Sequence, residues 1–235
     1  LGFNNFEVQV SLRDKSNPNK YIGNELQWDL AEKAILDSAN QKKLNYTVEY
    51  GEAAFYGPKL DFMVKDVLER KWQLGTIQVD YNLPERFNLS FKGKDNKLHR
   101  PIMIHRAPFG SMERFVAILL EQTAGDFPLW LTPNQVSILI VSEKYEKYGY
   151  KVLNFLEKND IRTSIDNRNE TIGKKIREAE LKKVPYMIIL GEKERNESNL
   201  SVRKRKKGDL GKMSLNDFVS LINEELSKSI AKFEK

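Results

Sequence analysis

Met103-Ile104-His105-Arg106-Ala107-Pro108-Phe109-Gly110-Ser111-Met112-Glu113-Arg114-Phe115 decides the fold of the first half of this 235-residue chain. It reads as strand, tight loop, then helix with an arginine at the helix start. Residues 101–104 form a short apolar run that predicts a buried strand, and Gly110 permits close backbone approach. Ser111 is a good N-cap for the amphipathic run Met112, Phe115, Val116 and Leu119, with Arg114 on the border of that stripe. Backbone N–H groups at a helix start, with a guanidinium beside them, suit an anionic or planar ligand. On pattern alone, His105 reads as a hydrogen-bonded core histidine and Arg114 as a helix-surface charge.

Working outward, residues 6–12 alternate as a half-buried strand, and residues 24–40 carry Leu26, Leu30, Ala34 and Ile35 at helical spacing. Further strands are predicted at 47–50, 59–65, 71–81, 87–91 and 102–105. Strands joined by short turns with few crossover helices imply an antiparallel sheet of α+β type. A helix ending near Gly125, two prolines within residues 127–133 and a new apolar strand place a domain junction at about residue 131. The two domains expected are thus residues 1–130 and 131–235. The second alternates: strand 136–141, helix 144–159 with Tyr148, Val152, Phe155 and Leu156 on one face, strand 162–165 and helix 171–183. Strands 186–190 and 200–204 and a closing helix 214–233, bearing Phe218, Leu221, Ile222 and Leu226, complete a compact α/β domain.

The formal charge of +6 is unevenly placed. Residues 131–235 hold 22 Lys and Arg against 16 Asp and Glu, whereas residues 1–130 hold 17 of each. A neutral half beside a basic half fits a small-molecule site next to a polyanion-binding module, the alternative being a lysine-rich solvated surface. The chain has no cysteine, which excludes disulfides and thiolate ligands within these residues. No apolar run approaches the roughly 20 residues of a membrane span, and no signal pattern opens the chain, so a cytoplasmic protein without membrane contact is expected. Opening on Leu1 instead of methionine, the sequence reads as a fragment.

Gly-Ser-Met-Glu-Arg-Phe (110–115) after Met-Ile-His-Arg (103–106) resembles motif 3 of the class II aminoacyl-tRNA synthetases, in its threonyl form. Glu52-Ala53-Ala54-Phe55-Tyr56-Gly57-Pro58-Lys59 resembles an active-site loop of threonyl-tRNA synthetases, with Ala53 in place of a glycine. Trp72-Gln73-Leu74-Gly75-Thr76-Ile77-Gln78-Val79-Asp80 looks like the next strand of that site. Asp166-Asn167-Arg168-Asn169-Glu170, Ile176-Arg177-Glu178 and Val184-Pro185-Tyr186-Met187 are similar to the anticodon-binding domain. The resemblance covers nearly the whole chain, with its motifs in family order. It implies the latter part of a class II catalytic core, an antiparallel-sheet α+β domain, followed by an α/β anticodon-binding domain.

What the resemblance implies can be stated residue by residue. Adenylate formation requires that phosphate charge be neutralised and the purine pinned in line. Arg114 would stack on adenine, which a planar guanidinium can do and lysine cannot. Gln73, Thr76 and Ser111 would complete the ATP wall, with ATP carried as its magnesium complex. Gln73 and Thr76 stand at odd spacing and need not share a face in a regular strand, and a bulge or the loop end near Gly75 would bring both to the nucleotide. Lys59 would be the counter-charge near the reacting groups. Tyr56 and Gln78 would face threonine, Asp80 being more ambiguous. In the second domain Asn169, Arg177, Lys183, Glu194 and Arg203 match positions that contact anticodon bases, with Lys183 replacing an arginine and losing its bidentate fork. The run Arg203 to Lys207 is otherwise suited to backbone phosphate.

His105 matches one ligand of a family zinc site made by Cys, His and His, which selects threonine by its hydroxyl. With no cysteine and only His99 besides, zinc is expected to be weak or absent on these residues alone. Motifs 1 and 2 would precede Leu1, so the isolated polypeptide is expected not to activate threonine. The partners implied are threonine tRNA, ATP and threonine, in a homodimeric parent enzyme. Two alternatives remain: a non-catalytic, synthetase-like RNA-binding module, or a prolyl, glycyl or histidyl member of the same class.

Overall fold

The structure is a computed structural model that describes Phe3 and residues 6–231. The chain divides into two compact units, Leu1–Ala124 and Gly125–Lys235.

In the first unit, strands β1 (Phe6–Leu12), β2 (Tyr46–Tyr50), β3 (Lys59–Lys65), β4 (Lys71–Asp80) and β7 (Met103–Ala107) form a sheet in the order β2-β1-β3-β4-β7. Every pairing is antiparallel except β1 with β2, which are parallel and joined through helix α1 (Glu25–Gln41). Asn24 and Gln27 close a capping box at the start of α1, an arrangement typically worth about 1 kcal/mol. One sheet face is apolar: Val8, Val10, Leu12, Leu60 and Val79 pack with Ala31, Ile35 and Ala39 of α1. The buried stripe of α1 is therefore Trp28, Ala31, Ile35 and Ala39, and the expected Leu26 and Leu30 are exposed. Apolar spacing identified the helix but not its inward face.

The predicted strand at 87–91 is corrected. A short helix α2 (Asn82–Arg86) follows β4, because buried Asp80 accepts hydrogen bonds from the Asn82 and Leu83 N–H groups and starts a helical turn. Only the short hairpin of β5 (Phe91–Lys92) and β6 (Leu98–His99) comes next. The 101–104 run is not a buried strand either. Pairing begins at Met103, and Ile102 and Ile104 are exposed, because β7 is the last strand of the sheet. Helix α3 (Met112–Thr123) starts where expected, but it buries Phe115, Ile118 and Leu119, leaving Met112 and Val116 exposed.

In the second unit, β8 (Val136–Ile140), β9 (Thr163–Asp166) and β10 (Tyr186–Leu190) are parallel, and β11 (Leu200–Lys204) and β12 (Gly208–Met213) extend the sheet antiparallel in the order β12-β11-β10-β8-β9. Helices α4 (Glu146–Glu157) and α7 (Leu215–Ala231) cover one face, through Tyr148, Val152, Leu156, Phe218 and Ile222 against Ile138, Ile188 and Val202. Helix α5 (Ile172–Leu181), capped by Thr171, covers the other through Ala179 against Leu139 and Met187. This is the expected α/β arrangement. Strand β12 and the short helix α6 (Glu192–Glu197) were not expected, since neither carries an apolar pattern. Phe233, placed on the closing helix by sequence, lies outside the described residues.

Candidate active site and nucleic-acid interface

The face of the first sheet opposite α1 is polar at its centre, and strand register explains why. Gln78 pairs with Lys59 on one side and His105 on the other, so these three residues form a row across β3, β4 and β7. Thr76 pairs with Asp61 in the next row. Beyond it the register shifts: Phe62 pairs with Gly75 and Met63 with Gln73, leaving Leu74 as the extra residue of a bulge. The bulge restores parity, so Gln73, Thr76 and Gln78 share one face despite their odd spacing. Of the two routes left open by the sequence, a bulge or a loop end near Gly75, the strand takes the bulge.

The motif 3 loop packs against that bulge. Gly110 has φ of +58°, and a β-carbon on it would lie 2.5 Å from the Leu74 carbonyl oxygen, so only glycine lets the two backbones meet. Gly57 is tighter still, its β-carbon position falling 1.8 Å from the Val79 carbonyl oxygen. Ser111 caps α3 by accepting the Arg114 N–H at 3.3 Å, and it donates to Glu113 at 2.7 Å, which lowers the Glu113 carboxyl. The Arg114 guanidinium lies 5.3 Å from the Trp72 ring centroid and donates to the Gln73 carbonyl at 3.1 Å. The guanidinium thus lies over the indole at cation–π distance. Trp72 is itself held by its N–H to Asp66 at 2.9 Å. Burial would raise the Asp66 carboxyl, but hydrogen bonds from Trp72, Arg70 and Leu68 outweigh it and bring it down to about 2.

Tyr56 donates to the Gln78 side-chain oxygen at 2.8 Å, and its ring lies 6.2 Å from that of His105. Burial, reinforced by the nearby Asp80 charge, pushes the Tyr56 phenol up, so it stays a neutral donor. Two buried polar atoms on this face have no hydrogen-bond partner, Thr76 Oγ1 and His105 Nε2, the latter 3.7 Å from Asp80 Oδ2. Orphaned buried polar atoms are uncommon in folded proteins and mark places where a ligand or solvent completes the bonding. Lys59, Gln73, Thr76, Gln78, Tyr56 and His105 are therefore gathered, with Arg114 joined to their rim through Gln73. Sequence reasoning missed Asp61, a buried carboxylate among them, and Trp72 beneath Arg114. Period-two alternation from Lys59 would have put Asp61 on the same face.

As to zinc, no group of three His, Asp or Glu among the described residues could hold a metal ion. His105 with Asp80 does not make a tetrahedral site. His99 is elsewhere, bound to Asp95 at 2.8 Å on the short hairpin.

In the second unit the candidates fall at two ends of the sheet. Asn169 follows β9, and Glu194 follows β10, where its carboxylate accepts the Gly191 N–H at 2.9 Å and so caps α6. Lys183, with φ of +59°, leads into the opposite end of β10, where Arg203 on β11 pairs with Met187. Arg177 is exposed on α5. Arg203 Nε is buried without a hydrogen-bond partner. Of the basic run, Arg205 and Lys206 are already paired with Asp126 and Lys204 with Glu225, so its charge is less available than the sequence implies.

With this geometry, a model for the "tRNA synthetase class II core domain (G, H, P, S and T)" matches residues 1–123, and one for the "Anticodon binding domain" matches residues 135–225. The chain belongs to the class II tRNA synthetases. Its similar curated relatives include the threonine–tRNA ligases of Flavobacterium psychrophilum, 61% identical over 238 residues, and Porphyromonas gingivalis, 60% over 235 residues. Both matches take in 100% of this chain and 36% of the relative, so the chain spans about a third of the length of these relatives. Among solved structures, the RNA binding domain of threonyl-tRNA synthetase from Cryptosporidium parvum matches with a TM-score of 0.83 and 36% identity, over 94% of this chain and 55% of that one. Prolyl-tRNA synthetase from the same organism shares the fold alone, with a TM-score of 0.54 at 20% identity over 77% of this chain and 42% of that one. No helix among the described residues is long and apolar enough to cross a membrane.

Proposed function

We propose that this chain supplies one wall of the active site, and the anticodon-reading unit, of a threonine–tRNA ligase. The observation that carries this reading is the polar row Lys59, Gln78 and His105 across three adjacent strands, flanked by unpartnered Thr76 Oγ1 and by Tyr56 on Gln78. Relatives that match the whole chain at about 60% identity are threonine–tRNA ligases, which favours threonine over proline, glycine or histidine.

In the reaction, a carboxylate oxygen of threonine attacks the α-phosphorus of ATP and the bond to pyrophosphate breaks, giving threonyl-adenylate. A terminal ribose hydroxyl of threonine tRNA then attacks the carbonyl carbon, and AMP leaves. Arg114, lying over Trp72, offers its other face to adenine. Lys59 neutralises phosphate charge as it builds. Gln73, Thr76 and Ser111 hold the nucleotide, which arrives as its magnesium complex. Gln78, oriented by Tyr56, faces threonine. No step is assigned to zinc, for which this chain offers His105 alone. Arg203 and Lys183 at one end of the second sheet, and Asn169 at the other, read unstacked anticodon bases, with Arg177 beside them and Glu194 fixing the α6 loop. The parent assembly expected is a cytoplasmic homodimer.

Threonine-dependent pyrophosphate exchange by the full-length protein tests the first unit, and exchange with proline, glycine or histidine in its place would overturn the assignment. For the second unit, Arg203→Ala should weaken an anticodon stem-loop by about 1–3 kcal/mol, read by titration at fixed salt. Unchanged affinity in Arg203→Ala and Asn169→Ala would remove the anticodon reading.

A further inference from the structure

Asp61 sits at the centre of the polar face, 1% exposed, with every bond its carboxylate makes directed to a neighbour on that face. Its Oδ1 accepts from Gln73 Nε2 at 2.7 Å. Its Oδ2 accepts from Lys59 Nζ at 2.6 Å and from the Ser11 hydroxyl at 3.0 Å, and Ser11 in turn accepts from Gln9 Nε2 at 3.1 Å. Lys59 stands two residues before it on β3, and Gln73 stands on β4 at the bulge. A single buried carboxylate therefore joins the phosphate-side cation to the nucleotide-side amide.

We propose that Asp61 is a positioning residue for the nucleotide, fixing both the Lys59 ammonium and the orientation of the Gln73 amide, with Ser11 holding Asp61 in turn. The inference rests on the ATP-site reading above. Two physical effects compete here. Asp61 cancels part of the Lys59 charge, which weakens its pull on phosphate. It also removes rotational freedom from a long side chain and places the charge before ATP arrives. In a buried site the second effect dominates, because a charge-assisted hydrogen bond of this length is strong and directional. The amide consequence is more specific. Gln73 spends one of its two N–H groups on Asp61, which fixes the amide so that its carbonyl oxygen, an acceptor, is turned away from Asp61. It is thereby set to receive a donor, a ribose hydroxyl or an exocyclic amine, and to reject an acceptor at that place.

The test uses full-length protein, with Asp61→Asn and Ser11→Ala compared with wild type in pyrophosphate exchange and in equilibrium ATP binding. Asp61→Asn should raise KM for ATP about tenfold or more, the order of loss for one misplaced charged hydrogen bond, while KM for threonine stays within about twofold. Ser11→Ala should shift KM for ATP in the same direction by a smaller factor, with thermal midpoints recorded for both. A fall in KM for ATP in Asp61→Asn would mean charge cancellation is the larger effect and would overturn the proposal. So would equal rises in KM for ATP and threonine with a lowered thermal midpoint, the pattern of a purely structural residue. Should Asp61→Asn fail to fold, an unmoved ATP affinity in Ser11→Ala decides against it. Wild-type exchange with an amino acid other than threonine would defeat the threonine reading yet leave the Asp61 comparison intact, since that comparison is read on ATP.

Discussion

The two five-stranded sheets of this chain treat their faces differently. The second sheet is covered on both sides over its parallel strands. Val136, Ile138, Ile188, Val202, Phe218 and Ile222 are wholly buried on one face, and Leu139 and Met187 on the other. The first sheet buries Val8, Val10 and Leu60 on one face only, and gives its opposite face to Lys59, Asp61, Thr76, Gln78 and His105. The first unit also leaves Phe6, Ile102, Ile104, Val116 and Leu120 exposed. A sheet that gives one face to converging polar groups cannot also bury both faces. Its organisation then depends on backbone close approach and hydrogen bonds more than on apolar area.

The strongest way to break this comparison is Phe218→Ala, which should cost about 3–5 kcal/mol in urea unfolding because it opens a cavity in the closed core beside Tyr186. A cost below about 1 kcal/mol would mean that this core relaxes freely. In the first unit the largest effect should come from backbone fit. Gly57→Ala forces a methyl towards the Val79 carbonyl, with a loss of about 1–3 kcal/mol and displacement of Tyr56 from Gln78. Unchanged stability together with unchanged threonine KM would show that the loop has room to move.

Acid should next separate the units. The Asp66 carboxyl is held at about 2, below its ordinary 3.8, so it contributes stability above the ordinary value that is lost as pH falls through the folded one. Asp66→Asn should lower the unfolding midpoint near neutral pH and flatten its decline between about pH 4 and pH 2. Parallel declines in wild type and variant would contradict the Trp72 and Arg70 contacts. The smallest effect is expected at Ile104, 71% exposed on the last strand, where Ile104→Thr should fall within about 0.5 kcal/mol of wild type.

Much of this was legible in the residues. Strands β3, β10 and β11 lie at the positions read from sequence, as does the Ser111 cap, because turns and caps are local chemistry. The candidate active-site residues were legible as a set only through resemblance, since Tyr56, Lys59 and Gln73 in isolation are ordinary polar residues. The inward faces of α1 and α3 were misread. Leu26, Leu30, Met112 and Val116 are apolar yet exposed, and a helix's own periodicity cannot tell which apolar stripe meets the sheet.

The sequence by itself determined the class, the order of the motifs, the odd spacing of Gln73 and Thr76, and the excess of positive charge in the second unit. Only the tertiary structure decided where the bulge falls, that its parity places Gln73, Thr76 and Gln78 on one face, and that Asp61 lies between Lys59 and Gln73. It alone decided that part of the basic run is paired with Asp126 and Glu225. The reason is physical. Caps, turns and composition act over a few residues, whereas register and ion pairing join residues distant in the chain, and no local pattern encodes which of them will meet.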